Sequence, residues 1–336
     1  MEKAPATWPG IPEHFKQCLV DKLDYKSRCR LRLCSRSDRD IVDTRPVFLD
    51  KLIISCNKRR NKCGIIAQET EVGETMTSHE MEHTVLKVSK VFEHKKSTVR
   101  EFVFTGGSDK RLKQKLERLC SKLISKMNEN ERRLRVEKIY WRWHDASADL
   151  FCKILKICDP TILKYICIWE KFRDRNAMLR IMGTEQWKSA QGVFLFDYWE
   201  HPIENLLHLN QMRVLQPNLP SQDIEKVIES FIRRGAPLSS NFRIYTCEPY
   251  ADLCRMVDGF AFEPTDDIYS FGGDPYFVKR LLIPSSEHVL VVTCLRISTI
   301  GFQHRTHHVL GMVCRRGHVE EDFRLRQQFC EWWYNF

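Results

Sequence analysis

The residues best suited to chemistry gather near the C-terminal end: His304, His307, His308, Cys314 and His318. Imidazole nitrogens and thiolates are zinc ligands, and their spacing here is compatible with a site. Structural zinc sites, however, favour tight ligand pairs of the Cys-x-x-Cys kind, and no such pair occurs anywhere in the chain. The sequence therefore assigns no metal and no cofactor. Its 14 cysteines are otherwise scattered, the nearest neighbours being Cys29 with Cys34 and Cys152 with Cys158. Most sit inside apolar runs, such as Cys167 among residues 165–169 and Cys294 among residues 291–295. This is the pattern of reduced, buried thiols acting as small hydrophobes. A Cys/His pair can meet in space without being close in sequence, but nothing singles out one thiol as a nucleophile. There is no Gly-x-x-x-x-Gly-Lys phosphate loop, no Gly-x-Ser-x-Gly elbow and no His-Glu-x-x-His helix. Gly106-Gly107 and Gly272-Gly273 read as turns. No catalytic residue is nominated, and the balance tilts from catalysis to binding.

With 336 residues, 43% of them hydrophobic and 29% charged, the chain is long enough for about two globular domains. No apolar run approaches the roughly 18–20 residues of a membrane-spanning helix, and the N-terminus lacks the apolar stretch of a secretory signal. The expected location is inside the cell, cytoplasmic, nuclear or both, with no membrane partner. The net charge of +10 is concentrated in residues 51–138, which hold 21 Lys and Arg against 12 Asp and Glu. Such a stretch can meet an acidic partner or a nucleic acid. The plainer reading is a solvated helix face with basic loops.

Several elements must position whatever binds. Residues 7–50 read as a helical unit. Phe15, Leu19, Val20 and Leu23 share a helix face, and Leu31, Leu33 and Cys34 supply a second helix whose cap is Ser27. A third, capped by Ser37 or Asp38, carries Ile41 and Val42 and stops before Pro46. Residues 51–110 form a strand-rich basic connector, with a mobile polar loop over 69–83 and a strand over 98–104. A basic amphipathic helix follows, with Leu112, Leu116, Leu119, Leu123 and Met127 on one stripe and Lys113, Lys115, Arg118 and Lys122 outside it. Apolar runs then recur from Ile139, Ile166, Val193, Met212 and Phe242, with helical patterns over 150–158, 203–209 and 224–232. Strand and helix alternating at that spacing is the pattern of a leucine-rich-type solenoid, and it predicts a parallel strand ladder. A conventional α/β sandwich gives a similar pattern. Residues 251–336 contain further strands and a charged tail.

The helical unit resembles an F-box. Trp8-Pro-Gly-Ile-Pro-Glu-His-Phe15, Cys18-Leu-Val-Asp-Lys-Leu-Asp24, Arg28-Cys-Arg-Leu-Arg-Leu-Cys-Ser35 and Asp38-Arg-Asp-Ile-Val-Asp43 carry the likeness. The tryptophan often found late in that motif is replaced by Asp38-Arg39. The following segment is similar to the FTH domain found behind F-boxes in a nematode-expanded family, through residues 135–145, 185–190 and 202–209. The resemblance implies a three-helix F-box over 7–50, an FTH-like strand–helix repeat domain over 111–250, and a mixed α/β fold. It implies docking to a Skp-type adaptor, and through it a cullin, by Ile11, Pro12, Phe15, Val20, Leu23, Leu31 and Cys34. It also implies a non-catalytic role as substrate receptor of a ubiquitin ligase, with a target protein held on the second domain. Strand alternation nominates Tyr140, Arg142, Trp169 and Asp197 as outward anchors for that target. The Trp141, Trp143, Trp169 and Trp187 set reads as core packing. A nucleic-acid-associated protein using the basic 51–138 stretch is the alternative, though no nucleic-acid module accompanies it.

Overall fold

The computed structural model describes residues 7–57, 62–68, 74–79, 81–106, 110–143, 148–169, 175–198, 202–216, 218–263, 275–284, 286–297 and 306–322. A short 3-10 turn, Trp8–Gly10, precedes helices α1 (Glu13–Lys22), α2 (Tyr25–Leu31) and α3 (Arg36–Asp43). The caps differ from those expected by a few residues. Asp24, not Ser27, caps α2, its carboxylate accepting the Ser27 N–H at 2.6 Å. Ser35 caps α3 by accepting from the Asp38 N–H at 3.0 Å, and its hydroxyl donates to the Asp38 carboxylate at 2.8 Å. In both cases the side chain that starts the helix reaches the amide three residues on, which leaves the third residue inside the first turn.

The contacts divide the chain into two compact units, residues 1–164 with 172–189, and residues 165–171 with 190–336. The first unit continues from the helices into β1 (Phe48–Asn57), β2 (Lys62–Gln68), β3 (Glu74–His79), α4 (Met81–Val91), β4 (Thr98–Gly106), α5 (Lys110–Glu129), β5 (Val136–Trp143) and α6 (Ala148–Lys156). α7 (Arg175–Met182) and α8 (Glu185–Ser189) also belong to it. Its strands lie in the order β3-β2-β1-β4-β5, antiparallel across β3, β2 and β1 and parallel across β1, β4 and β5. One face is sealed by α5, whose Leu112, Leu116, Leu119, Leu123 and Met127 are all buried. Beneath them Phe102, Phe104, Trp141 and Phe151 pack ring against ring, with centroids 4.5–5.3 Å apart.

Two stretches differ from the sequence reading. The expected loop over 69–83 contains β3 and the start of α4, and α4 is wholly additional. Val85, Val88 and Val91 are β-branched and weak helix formers, but all three are buried on one side of α4, and that packing overrides propensity. Likewise α7 and α8 occupy a stretch where no helix was read. Met178, Ile181, Met182 and Trp187 are their buried apolar residues.

The second unit holds β6 (Tyr165–Ile168), β7 (Gly192–Tyr198), a 3-10 turn (Ile203–Leu206), β8 (Gln211–Leu215), α9 (Ser221–Arg233), β9 (Asn241–Thr246) and α10 (Tyr250–Asp258). It ends in β10 (Phe262–Glu263), β11 (Pro275–Leu282), β12 (His288–Ile297) and β13 (Thr306–Arg315). The helical pattern over 203–209 collapses to one tight turn behind Pro202. The runs from Ile166, Val193, Met212 and Phe242 do lie side by side and parallel, in sequence order as β6-β7-β8-β9. β13 then adds antiparallel to β9, and β12, β11 and β10 continue the meander. Alternation sorts the residues. Phe242, Ile244 and Thr246 of β9 are buried toward α9, where Phe242 meets Phe231 edge-on at 5.2 Å. Asn241, Arg243 and Tyr245 face away, half-buried.

Gly311 of β13 stands directly opposite Phe242, and a methyl group there would overlap the phenyl ring. Because Phe242 is itself wedged against Phe231, it cannot yield. Gly311→Ala should therefore destabilise the chain by about 1–3 kcal/mol in chemical denaturation. Gly317→Ala, with open space around it, should leave the transition within about 0.5 kcal/mol. Equal effects from the two would contradict this packing.

Candidate functional site

The N-terminal helical unit has very little interior. Val20, Ile41 and Val42 are buried together, with Leu31 half-buried against them. Polar groups make up the difference. The buried Arg28 guanidinium donates to three backbone carbonyls, those of Leu23 (2.9 Å), Pro46 (2.8 Å) and Asp21 (3.2 Å), and so ties α2 to both flanking turns. The Trp8 indole N–H donates to Asp38 at 2.5 Å, fastening the leading turn to α3. Arg32 grips Asp43 with two hydrogen bonds of 2.5 and 3.0 Å, and Asp43 also meets Lys90 of α4 at 3.5 Å. Backbone joins the unit to β4, since the Val47 N–H donates to the Ser97 hydroxyl and the Thr98 N–H to the Val47 carbonyl.

So small a core leaves apolar side chains outside. Phe15 is 57% exposed and Leu19 46%, four residues apart on one face of α1, and Leu33, in the turn after α2, is 79% exposed. Cys34 beside it is exposed too. These are the unit's unspent hydrophobes, and exposed apolar clusters of this kind mark interaction surfaces.

The predicted docking set is therefore split. Phe15, Pro12 and Cys34 are at the surface, and Ile11 and Leu23 are half-buried. Val20 is a correction: it is fully buried inside the unit, because it follows Leu19 by one residue and so turns about 100° away from the Phe15–Leu19 face. Leu31 also leans on that core rather than outward. Leu19 and Leu33 were missed as surface residues. The signal was there in the excess of apolar positions over what three short helices can cover.

The other nominated residues scatter. Tyr140 is only 4% exposed, with the Arg142 guanidinium 5.5 Å over its ring, so it is no open anchor. Arg142 and Trp169 are half-buried, and the Asp197 side chain lies outside the described residues. Trp141 and Trp187 are core, as read from sequence, and the Trp143 side chain lies outside the described residues. On α5, Arg118 is exposed, Lys113 and Lys115 are half-buried, and Lys122 is held by Glu82 of α4 at 2.8 Å. The basic stripe is thus partly neutralised within the chain. The histidine cluster does not converge. His304 lies outside the described residues, His307 and His308 are neighbours on a strand and point to opposite faces, and His307 Nδ1 donates to the Glu248 carbonyl at 3.0 Å. Among the described residues no three His, Cys, Asp or Glu side chains are placed to hold a metal. Burial pushes the Cys158 and Cys294 thiols up, the latter to about 12, which leaves them inert as nucleophiles at neutral pH.

Residues 8–50 match the F-box domain family model, and residues 118–250 match the FTH domain family model. The chain is an F-box protein with an FTH domain. It is 38% identical over 52 residues to a Caenorhabditis elegans protein described as an uncharacterised F-box protein, a match that spans 16% of this chain and 14% of that one. F-box domains bind Skp-type adaptors, and proteins that carry them are in general non-catalytic substrate adaptors of ubiquitin ligases. No helix among the described residues is long and apolar enough to cross a membrane.

The Trp8–Asp38 contact gives this F-box a testable acid sensitivity. The indole hydrogen bond, aided by the Ser35 hydroxyl and opposed by burial, holds the Asp38 carboxyl below its usual range. A depressed folded-state pKa stabilises the fold above the unfolded value of about 4, and the gain disappears as pH falls through the folded-state value. Asp38→Asn should therefore cost about 1–3 kcal/mol at pH 7 and progressively less on acidification below pH 4. Denaturation of both chains from pH 7 down to pH 3 checks it; a penalty that stays constant over that range would contradict the role given to the carboxylate.

Proposed function

We propose that this chain is the substrate receptor of a Skp–cullin–F-box ubiquitin ligase, its F-box docking the adaptor and its FTH domain holding a target protein. The observation that carries the reading is the exposed apolar set of Phe15, Leu19 and Leu33 on a helical unit whose own core is already closed by Val20, Ile41 and Val42. Removing such residues from water stabilises a complex by roughly 1.5–3 kcal/mol each when burial is complete. Pro12, Ile11, Leu23 and Cys34 border this surface in the sequence and supply its rim. The cullin is reached through the adaptor and needs no contact from this chain. We read the parallel run β6-β7-β8-β9, with α9 behind it, as the leucine-rich-like layer that presents the target site, on the strand face turned from the helices. The hydrogen bonds between Val47 and residues 97–98, with the Asp43–Lys90 pair, support a fixed placement of the F-box on the first unit. The Lys122–Glu82 pair argues against the basic stretch as a nucleic-acid surface.

The test uses purified full-length chain and a Skp-type adaptor. Leu19→Asp and Leu33→Asp place charges where the side chains are already solvated, so the free chain should unfold at an unchanged temperature. In the complex each charge would be desolvated, and adaptor affinity should fall at least about 100-fold, on the order of 3 kcal/mol. Val20→Asp is the contrast, expected to unfold the helical unit. Adaptor binding that survives both surface substitutions would refute the docking assignment.

A further inference from the structure

Ser35 stands apart from the chain's other hydroxyls in what precedes it. Arg32 and Arg30 lie three and five residues before it, and no other serine or threonine in the sequence has arginine at both places. Paired arginines at those distances are the charge pattern that one class of serine kinases selects through an acidic substrate groove. The fold keeps the segment accessible. Arg30, Leu33, Cys34, Ser35 and Arg36 are all exposed, and Ser35 itself is extended, with φ −153° and ψ 168°. Arg30 lies in the last turn of α2, a helix of only seven residues, and helices that short hold together through packing. What α2 gives to the apolar core is the half-buried Leu31. Its last turn therefore opens locally at small cost and presents residues 30–35 as the extended segment that a kinase groove accepts.

What a phosphoryl group would meet at this position is set by Asp38. The Ser35 hydroxyl donates its proton to the Asp38 carboxylate at 2.8 Å, while its oxygen accepts the Asp38 N–H at 3.0 Å. Asp38 is 5% exposed, and its other oxygen takes the Trp8 indole N–H at 2.5 Å. Esterification removes the donated proton and sets a group of charge about −1.5 to −2 beside that carboxylate. A helix N-terminus favours an anion, but at α3 that place is already filled by Asp38. Arg32 is committed to Asp43, and Arg36 and Arg39 are exposed, where water and salt screen them. Repulsion between the ester and Asp38 wins.

We propose that Ser35 is a phosphorylation site for an arginine-directed serine kinase, and that its phosphate ester switches off adaptor docking by the F-box. In the transfer, Ser35 Oγ attacks the γ-phosphorus of magnesium-bound ATP. The Oγ–P bond forms as the bond from that phosphorus to the oxygen of departing ADP breaks, and the hydroxyl proton passes to a carboxylate of the kinase and then to water. The ester acts on the docking surface in two ways. It drives Asp38 from the indole, which releases the Trp8–Gly10 turn and with it Ile11 and Pro12. It also stands two residues from Leu33, where a docked adaptor excludes water, and a charge buried without a partner is costly. The effect on docking rests on the receptor reading above, whereas the site rests on the local sequence and geometry.

The full-length chain is incubated with ATP, magnesium and a purified serine kinase that selects arginine three and five residues ahead of its target, and part of the product is then treated with phosphatase. Peptide mapping by mass spectrometry should place a phosphoryl group on Ser35. Arg30→Gln, a change at an exposed side chain, should slow its incorporation by about tenfold or more. The phosphorylated chain should bind a purified Skp-type adaptor about tenfold or more weakly than the phosphatase-treated sample, and should unfold at a lower temperature. Ser35→Asn keeps a helix cap and a donor for Asp38 but offers no hydroxyl, so kinase treatment should change neither its adaptor affinity nor its unfolding temperature. Ser35 left unmodified would overturn the site, and a Ser35 ester that leaves adaptor affinity unchanged would overturn the switch. A chain that takes no adaptor in either state, yet gains the Ser35 ester and loses unfolding temperature with it, keeps the site and fails the receptor reading. One that binds adaptor but resists the kinase at Ser35 keeps the receptor reading and loses the site.

Discussion

A helical unit of some 40 residues buries too little apolar surface to hold itself together, and here polar crosslinks make up that shortfall, centred on a buried cation. Arg28 sits between α1, α2 and the segment entering β1, donating to carbonyls of Leu23, Asp21 and Pro46 that helix ends and turns leave without amide partners. A charge taken out of water is costly unless it is hydrogen-bonded, and three carbonyls converge on this one, one at each guanidinium nitrogen. The consequence reaches outward. With the polar crosslinks of Arg28, Trp8–Asp38 and Arg32–Asp43 holding the helices, Phe15, Leu19 and Leu33 are released from the interior and left to face solvent. A larger core would have consumed them. The exposed apolar surface exists because the fold does not need those residues for itself.

In the strand-rich part the governing constraint is period two. Each strand must bury one side against α5 or α9, so every second residue is fixed as apolar, and the intervening residues are free to vary. Phe242 and Ile244 are settled by Phe231; Arg243 and Tyr245 between them are not. What stands on the free face is therefore informative in a way that the core is not. Parallel pairing of β6 to β9 repeats that free face at one strand spacing, so side chains at equal depth form rows across the sheet.

This division also explains what could be read from the sequence. The amphipathic stripe of α5, the helix pattern of α9 and the alternation of β8 and β9 were legible, because each is a long periodic signal tied to one buried surface. The short helices α7 and α8 and the valine-rich α4 were not, since their formation depends on packing against elements distant in the chain. At the proposed docking surface, residue types were legible and their facing was not. Val20 and Leu19 differ by one position and by 100° around the helix, and only the placement of Ile41 and Val42 decides which of them is inside. For the strand anchors, parity proved insufficient. Tyr140 is on the face turned from α5, as alternation required, yet Arg142 and Glu101 close over it.

The two strand faces can be compared as electrostatic problems with different solutions. Where Lys51, Glu101 and Lys138 share a row, the sheet's own pairing neutralises it, and nothing external is needed. Where Arg213 meets Arg243, no acid is offered in register, and the neighbouring position is given to an aromatic stack instead. Stacking holds a guanidinium in place without cancelling its charge, whereas a glutamate would do both.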